Sequence, residues 1–224
     1  MHYIIGVSNL AGKRQESVAD IHRRAPQSSR GRERRARILK AATELFLKTG
    51  YGETSIDAIV EKSGGSKATL YAYFPTKDDL FRAVVEGVVS NRKEPELDSS
   101  ADVRAALVAF GVQRMQVVFS QRHRALLRLI IAERERFPDI ARLYYDIGPM
   151  RSHDLLVDYL TELKERGLLN VENSAESADF FIGMLLHQWY INQSYTRTAP
   201  PSLEEMRYRA DRVVDTFLGL FHPP

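Results

Sequence analysis

The sequence predicts an all-α protein in which a short helix-turn-helix unit precedes a larger helical region. Apolar residues recur every three to four positions along most of the chain after residue 31, which is the period of a helix with one buried face. Residues that cap helices stand before these apolar runs, and glycine or proline follows several of them. No segment of useful length alternates apolar and polar residues as a β-strand does. Together these three observations favour helices throughout.

The composition of the 224-residue chain excludes several classes of protein. Hydrophobic residues make up 44% of the chain, which is enough for a packed core, and the absence of cysteine excludes disulfides and thiolate metal sites. The six histidines form no HExxH motif, so we expect no metal, no cofactor and no enzyme. No apolar run approaches the roughly 20 residues that span a bilayer, and the N-terminus lacks the pattern of a secretory signal. We therefore expect a cytoplasmic protein without a membrane partner.

The opening 30 residues differ from the rest of the chain. They are basic and polar and show little helical period, so we expect a flexible arm over residues 1–30. The first 90 residues carry 15 basic and 10 acidic side chains, and the remainder carries 17 and 19. A basic N-terminal third suits a phosphate-binding surface, although an ordinary solvated surface explains the excess equally well.

The first helix is predicted over about residues 32–49. Gly50 follows it, where a residue with positive φ can end a helix. Thr54 and Asp57 have the spacing of a cap for a second helix, and Ser63-Gly64-Gly65 ends that helix after about two turns. The buried face of the first helix has the spacing i, i+3, i+4, i+7 and i+8, and consists of Ile38, Ala41, Ala42, Leu45 and Phe46.

A third, short helix is predicted over Lys67–Tyr73, with Ser66 as its N-cap. Thr76, with an acidic residue three positions later, repeats the capping spacing and begins a fourth helix over about residues 77–90. Two short helices joined by a glycine-containing turn, behind a longer helix, form a helix-turn-helix unit at about residues 55–74.

After a polar segment at Lys93–Ser100, the sequence predicts six further helices. Gly148-Pro149 is expected to separate two of them, and Ser202 with Glu205 forms a capping box for the last. We therefore divide the chain into the arm, a helix-turn-helix domain over residues 31–90 and a helical domain over residues 91–224. The six helices are predicted over about 101–119, 122–135, 138–146, 150–166, 175–196 and 203–220.

The third helix carries side chains suited to reading DNA, because the N-terminal residues of a recognition helix face base edges in the major groove. Lys67 can donate to guanine, Thr69 can reach a base or a phosphate, and the methyl group of Ala68 can contact thymine. Tyr71 and Tyr73 can each donate a hydroxyl to a phosphate. A core aromatic with only its hydroxyl exposed is the alternative role for Tyr71.

Neighbouring helix starts add further candidates. Lys77 places a positive charge at the start of the fourth helix, and Thr54 and Ser55 place hydroxyls at an N-terminus, where anions bind favourably. Ser66 is either a cap alone or a cap that also contacts DNA. The predicted DNA contacts are therefore Thr54, Ser55, Ser66, Lys67, Ala68, Thr69, Tyr71, Tyr73 and Lys77.

The stretch Gly50–Phe81, GYGETSIDAIVEKSGGSKATLYAYFPTKDDLF, resembles the tetracycline-repressor (TetR) family of bacterial transcriptional regulators. The match is most specific in SKATLYAYFPTKDDLF, which corresponds to the family's recognition helix and the start of its fourth helix. The resemblance implies a homodimer that binds double-stranded DNA at a palindromic operator, and we expect a repressor that a small molecule releases. Gly65 departs from the family, which often has an aliphatic residue there, and this predicts looser packing of the turn.

The later run Leu126–Pro149 looks like the AefR-like subgroup of the family's effector domains. The resemblance implies a pocket for an apolar or amphipathic effector and a dimer built from the last two long helices, although such apolar stripes also fit an ordinary core. Candidate pocket residues are Met115, Phe119, Tyr144, Tyr145, Met150, His153, Met184 and His187. Candidate interface residues are Phe181, Leu185, Trp189, Val213, Phe217 and Phe221.

Two other interpretations remain open. The chain can be a DNA-binding regulator without a small-molecule effector, controlled by a partner protein or acting constitutively. It can also be an all-α enzyme whose first helices resemble a helix-turn-helix by accident, although the sequence contains no catalytic motif that supports this. Salt-sensitive binding to DNA distinguishes the enzyme from both regulators.

Overall fold

The computed structural model describes residues 28–90, 97–98, 102–196 and 199–221, which form ten α-helices and one π-helical turn without a strand. The predicted all-α class is confirmed, and each helix lies within a few residues of its predicted bounds. Most of the predicted arm lies outside the described residues, and its last residues begin the first helix. The helices are α1 (Ser29–Thr49), α2 (Ile56–Ser63), α3 (Lys67–Tyr73), α4 (Lys77–Ser90), α5 (Val103–Phe119), α6 (Gln121–Glu133), α7 (Pro138–Tyr145), α8 (Arg151–Glu165), α9 (Ser174–Tyr195) and α10 (Leu203–Leu220).

Side-chain caps explain where several of these helices begin. The hydroxyl of Ser66 accepts a hydrogen bond from the third amide of α3 at 3.2 Å. Thr76 and Asp79 cap α4 reciprocally, each accepting from the other's backbone amide at 3.0 and 3.1 Å. Ser202 forms the predicted capping box with Glu205 at the start of α10. These predicted caps are confirmed.

We call helices α1–α4 the head and helices α5–α10 the body. The buried side chains form two cores. The first core joins the head to α6 and α7, so that Phe81 of α4 lies in the same cluster as Leu126 and Tyr144. The second core lies among α5, α8, α9 and α10 and contains Phe110 and Phe217. The first core therefore crosses the boundary predicted between residues 90 and 91.

Gly148-Pro149 lies between two α-helices, as predicted, but the chain does not leave the helical path there. The chain passes from α7 to α8 through a π-turn at Asp146–Met150, which contains Pro149. A proline has no amide hydrogen to donate, and the altered hydrogen-bond spacing of a π-turn accommodates this loss. α7 and α8 therefore form one continuous helical path from the first core to the second.

Close helix packing in the body depends on Gly111 of α5. A Cβ atom at this position would lie 3.3 Å from Cδ1 of Leu185 and 3.4 Å from Cβ of Ala210, closer than most such contacts. Arg104, two turns earlier on the same face of α5, forms ion pairs with Asp211 and Asp215 of α10 at 2.9 and 2.8 Å. No helix in the described ranges is long and apolar enough to cross a bilayer.

Candidate nucleic-acid interface

The helix-turn-helix consists of α2, α3 and the glycine turn between them. Gly64 and Gly65 have φ values of 72° and 106°, which are accessible to glycine at little cost. Leu70 of α3 and Phe74 at its C-cap are buried and hold the inner side of α3 against the head, where Ile59 of α2 is also buried. The inner side of α3 is therefore fixed, and its other side is free to face a ligand.

The outward flank of α3 carries most of the predicted DNA contacts. Lys67, Ala68 and Tyr71 are exposed, and Thr69 and Tyr73 are half-buried. Tyr71 is 43% exposed, so it is not the core aromatic that its sequence position also allowed. All five side chains present part of their surface to solvent, as a recognition helix in the major groove requires.

Lys67 is held by an acidic neighbour. Its Nζ lies 2.7 Å from Oδ1 of Asp57 on α2, and this ion pair raises the pKa of Lys67. Both side chains remain largely exposed, so the pair is weak in water and can open toward a phosphate or a base. Ser66 Oγ lies 3.1 Å from Thr69 Oγ1, which orients the threonine hydroxyl at the start of α3.

The start of α2 differs from the prediction. Thr54 is 2% exposed, and its hydroxyl donates to the carbonyl of Gly50 at 2.7 Å. Ser55 is exposed and is the N-cap, accepting from the amide of Ala58 at 3.1 Å. The predicted capping role of Thr54 is therefore wrong, and its buried side chain does not face a ligand. Ser55 keeps its place among the candidate contacts.

Lys77 is also placed differently from the prediction. Its Nζ donates to the carbonyl of Tyr51 at 2.6 Å and lies 4.2 Å from the centroid of the Tyr51 ring. Burial and then the positive charge of Arg136 lower the pKa of Lys77. These contacts fasten α4 to the loop after α1, so we assign Lys77 to the structure of the head and leave it out of the proposed DNA contacts.

Two arginines of α1, which no local sequence pattern indicated, support the helix-turn-helix. Arg34 Nη1 donates to the carbonyl of Gly64 at 3.1 Å, and a Cβ atom on Gly65 would lie 2.8 Å from Arg34 Nη2. Arg35 lies over the Phe74 ring, with its Cζ 5.0 Å from the centroid. The guanidinium of Arg34 therefore lies where the side chain of a larger residue at position 65 would stand.

Comparison with known proteins agrees with this geometry. Residues 105–223 match the description "AefR-like transcriptional repressor, C-terminal domain", and residues 38–84 match "Bacterial regulatory proteins, tetR family". The chain belongs to the TetR family. It is therefore a DNA-binding transcriptional regulator and not an enzyme, as its relatives also indicate.

Relatives of known sequence or structure cover both parts of this TetR-family regulator. The HTH-type transcriptional regulator YvkB of Bacillus subtilis is 30% identical over 149 residues, which is 66% of this chain and 77% of YvkB. A structure from Mesorhizobium loti, described as a TetR-family transcriptional regulator, is 28% identical and has a TM-score of 0.74. The match covers 87% of this chain and 100% of the Mesorhizobium loti chain. The flavonoid-responsive regulator FrrA is 30% identical, with a TM-score of 0.71 and coverage of 85% and 98%.

The residues predicted to line one effector pocket lie in different surroundings in this regulator. Met115 and Phe119 are buried in the second core. Tyr144 is buried in the first core, and its hydroxyl forms a hydrogen bond with Nε2 of His123 at 3.0 Å. Tyr145 and His187 are exposed, and Met150 and Met184 are half-buried. His153 is half-buried, and its Nε2 lies 3.2 Å from Oδ1 of Asp179. The prediction of one shared lining is therefore not supported.

Four of the six residues predicted at the dimer interface are buried within their own chain. Phe181, Leu185, Val213 and Phe217 belong to the second core, so these four side chains pack within their own chain. Trp189 is half-buried and lies edge-on to Phe119 at 5.9 Å. Phe221 packs against Phe217 at 4.8 Å between centroids.

The ion pair at the start of α3 gives a first prediction. Asp57→Asn is expected to raise DNA affinity about two- to fivefold, because it removes a negative charge beside the exposed flank of α3 and releases Lys67. Fluorescence anisotropy with labelled duplex DNA measures the change. Asp158→Asn, which removes an exposed carboxylate on α8, is the matched control and is expected to leave affinity unchanged. If both variants change DNA affinity equally, Asp57 does not lie beside the surface that binds DNA.

Proposed function

We propose that this regulator is a homodimeric repressor that places α3 of each protomer in the major groove of a palindromic operator. The exposed flank of α3, held from behind by Leu70 and Phe74, is the observation that carries the proposal. The proposed contacts are the predicted set without the buried Thr54 and without Lys77, which Tyr51 holds: Ser55, Ser66, Lys67, Ala68, Thr69, Tyr71 and Tyr73. The match to AefR-like repressors supports repression.

The outer face of α9 supports the homodimer. Phe180 is 53% exposed, Ile191 is 41% exposed and Tyr195 is 83% exposed, and they lie on one side of the helix with Met184 and His187. The opposite side of α9 is already apolar and buried in the second core. A helix that is apolar on both sides is stabilised when both sides are buried, and a second copy of the chain would bury the outer side of α9. The dimer then presents two recognition helices, which are needed to read two half-sites about 34–36 Å apart.

We further propose that a small molecule controls operator binding and that the regulator acts in the cytoplasm. FrrA, which resembles this chain over most of its length, is described as flavonoid-responsive, and this supports control by an apolar or amphipathic ligand. Such a ligand acts by binding one arrangement of the two heads better than another. A hundredfold loss of operator affinity needs a differential binding energy of about 2.7 kcal/mol.

Selection of bound sites from random DNA tests the proposal. We expect a palindrome whose half-sites lie about one helical turn, 10–10.5 bp, or a multiple apart. Thr69→Ala is expected to change the base preference in each half-site, whereas Tyr71→Phe is expected to weaken binding to all sequences similarly, because it removes only a hydroxyl suited to phosphate. Recovery of no enriched sequence, or of asymmetric single half-sites, would contradict the proposed function.

A further inference from the structure

An open groove lies where α1 and α4 of the head meet α6 of the body. Its volume is about 670 Å³, which is the size of a typical small-molecule site. The side chains of Leu39 and Leu47 from α1 and Ala125 from α6 give it apolar walls. Residues of α1 line the groove from position 36 to position 48, a length of about 18 Å at 1.5 Å per residue. The groove is therefore long enough for an extended apolar chain.

The charged residues of the groove favour an anion. Lys40, Lys48 and Arg122 line it, and Glu44 is its acidic member. Glu44 is already paired, because its carboxylate lies 3.0 Å from Nζ of Lys62 on α2, and this pair lowers the pKa of Glu44. The lining therefore has an excess of positive charge beside apolar walls.

The position of Arg122 strengthens this preference. Arg122 is exposed in the first turn of α6, directly after the cap that Ser120 makes with the amide of His123 at 3.2 Å. The first turn of a helix carries a partial positive charge, which adds to that of the guanidinium. A carboxylate beside Arg122 thus meets a side-chain cation and a favourable helix terminus.

We propose that the groove binds an amphipathic carboxylate of the fatty-acid class. The hydrocarbon chain lies against Leu39, Leu47 and Ala125, and the carboxylate pairs with Arg122, while the lysines of α1 add positive charge to the groove. Helices of both head and body line the groove, so a bound molecule changes the packing of α1 against α6. This change in packing lowers operator affinity. This effect on DNA rests on the proposed function, whereas binding of the carboxylate does not.

Calorimetric titration of the full-length protein with dodecanoate, below its micellar concentration and without DNA, tests the site. Arg122→Gln is expected to weaken dodecanoate binding at least tenfold, because it removes a charge-assisted contact. Arg128→Gln is the matched control, since Arg128 is an exposed arginine of the same helix outside the groove, and it is expected to bind as the wild type does. Dodecyltrimethylammonium, with the same chain and the opposite charge, is expected to bind at least tenfold more weakly than dodecanoate.

Equal dodecanoate affinity in the wild type and Arg122→Gln would overturn the site, as would equal binding of the cationic amphiphile. Ala125→Phe supplies a second check, because a bulky side chain in the apolar wall should weaken binding without changing charge. In the DNA arm, dodecanoate is expected to release the selected operator from the wild type and not from Arg122→Gln. Binding without release would overturn the regulatory role of the groove. A protein that binds dodecanoate normally but selects no DNA sequence would overturn the proposed function instead.

Discussion

Replacing Phe180 and Ile191 together by aspartate is expected to dissociate the proposed dimer and remove operator binding. Both side chains project from the outer face of α9 and are more than 40% exposed in the single chain. In a dimer joined through this face, each protomer would bury two carboxylates against apolar surface, which costs several kcal/mol. We expect the dimer dissociation constant to rise at least hundredfold and affinity for the full palindrome to fall by a similar factor.

Analytical ultracentrifugation measures the dimer, and fluorescence anisotropy measures its binding to the palindrome. Ile131→Asp is the control, because Ile131 is 49% exposed on α6 and belongs to neither core. It is expected to leave both quantities unchanged. The far-UV circular dichroism of all variants should match the wild type, since no substitution removes a core side chain. A double variant that remains dimeric would show that the interface lies elsewhere.

Tyr51→Ala is expected to lower the free energy of unfolding by about 3–5 kcal/mol, the usual cost of removing a buried aromatic side chain. Tyr51 is 3% exposed. Its ring contacts Phe46 and Phe81 of the head at centroid distances of 5.6 and 5.1 Å, and Phe137 of the body at 4.7 Å. Because the first core joins head and body at this ring, we expect a melting temperature about 6–20 °C lower.

Urea denaturation and calorimetry at one fixed protein concentration measure this effect, since dimerisation also contributes to stability. Tyr51→Phe keeps the ring contacts and loses only the hydrogen bond from the hydroxyl to Asp78, so it should cost about 1 kcal/mol. Tyr145→Ala removes a tyrosine that is 47% exposed and should cost less than about 1 kcal/mol. If Tyr51→Ala costs no more than Tyr145→Ala, the first core does not depend on this ring.

The helix-turn-helix was predictable because its signals are local. Ser66 and the residues after it form a cap, a short helix and a buried Leu70 within one stretch of sequence, and the structure confirms each of these. The start of α2 was less certain because Thr54 and Ser55 are both capping residues at adjacent positions. The fold decides between them, since the hydroxyl of Thr54 bonds back to Gly50 while Ser55 stays exposed.

Contacts between distant parts of the chain were not predictable. The sequence places Lys77 as a positive charge at a helix start. In the structure its ammonium donates a hydrogen bond to the backbone carbonyl of Tyr51, 26 positions earlier. Arg34 and Gly65 are also far apart in sequence, and neither indicates by itself that the arginine fills the space beside the glycine. No spacing rule relates such pairs, because the positions of whole helices determine whether they meet.

The sequence by itself determined the helical class, the helix order and the caps of α3, α4 and α10, because periodicity and capping act within a few residues. Tertiary structure alone decided that α6 and α7 complete the core of the head, that Phe181 and Leu185 face inward while Phe180 and Ile191 face outward, and that three helices line an open cationic groove. The reason is geometric. When both sides of a helix are apolar, the pattern fixes its period, and only its packed neighbours select the side that is buried.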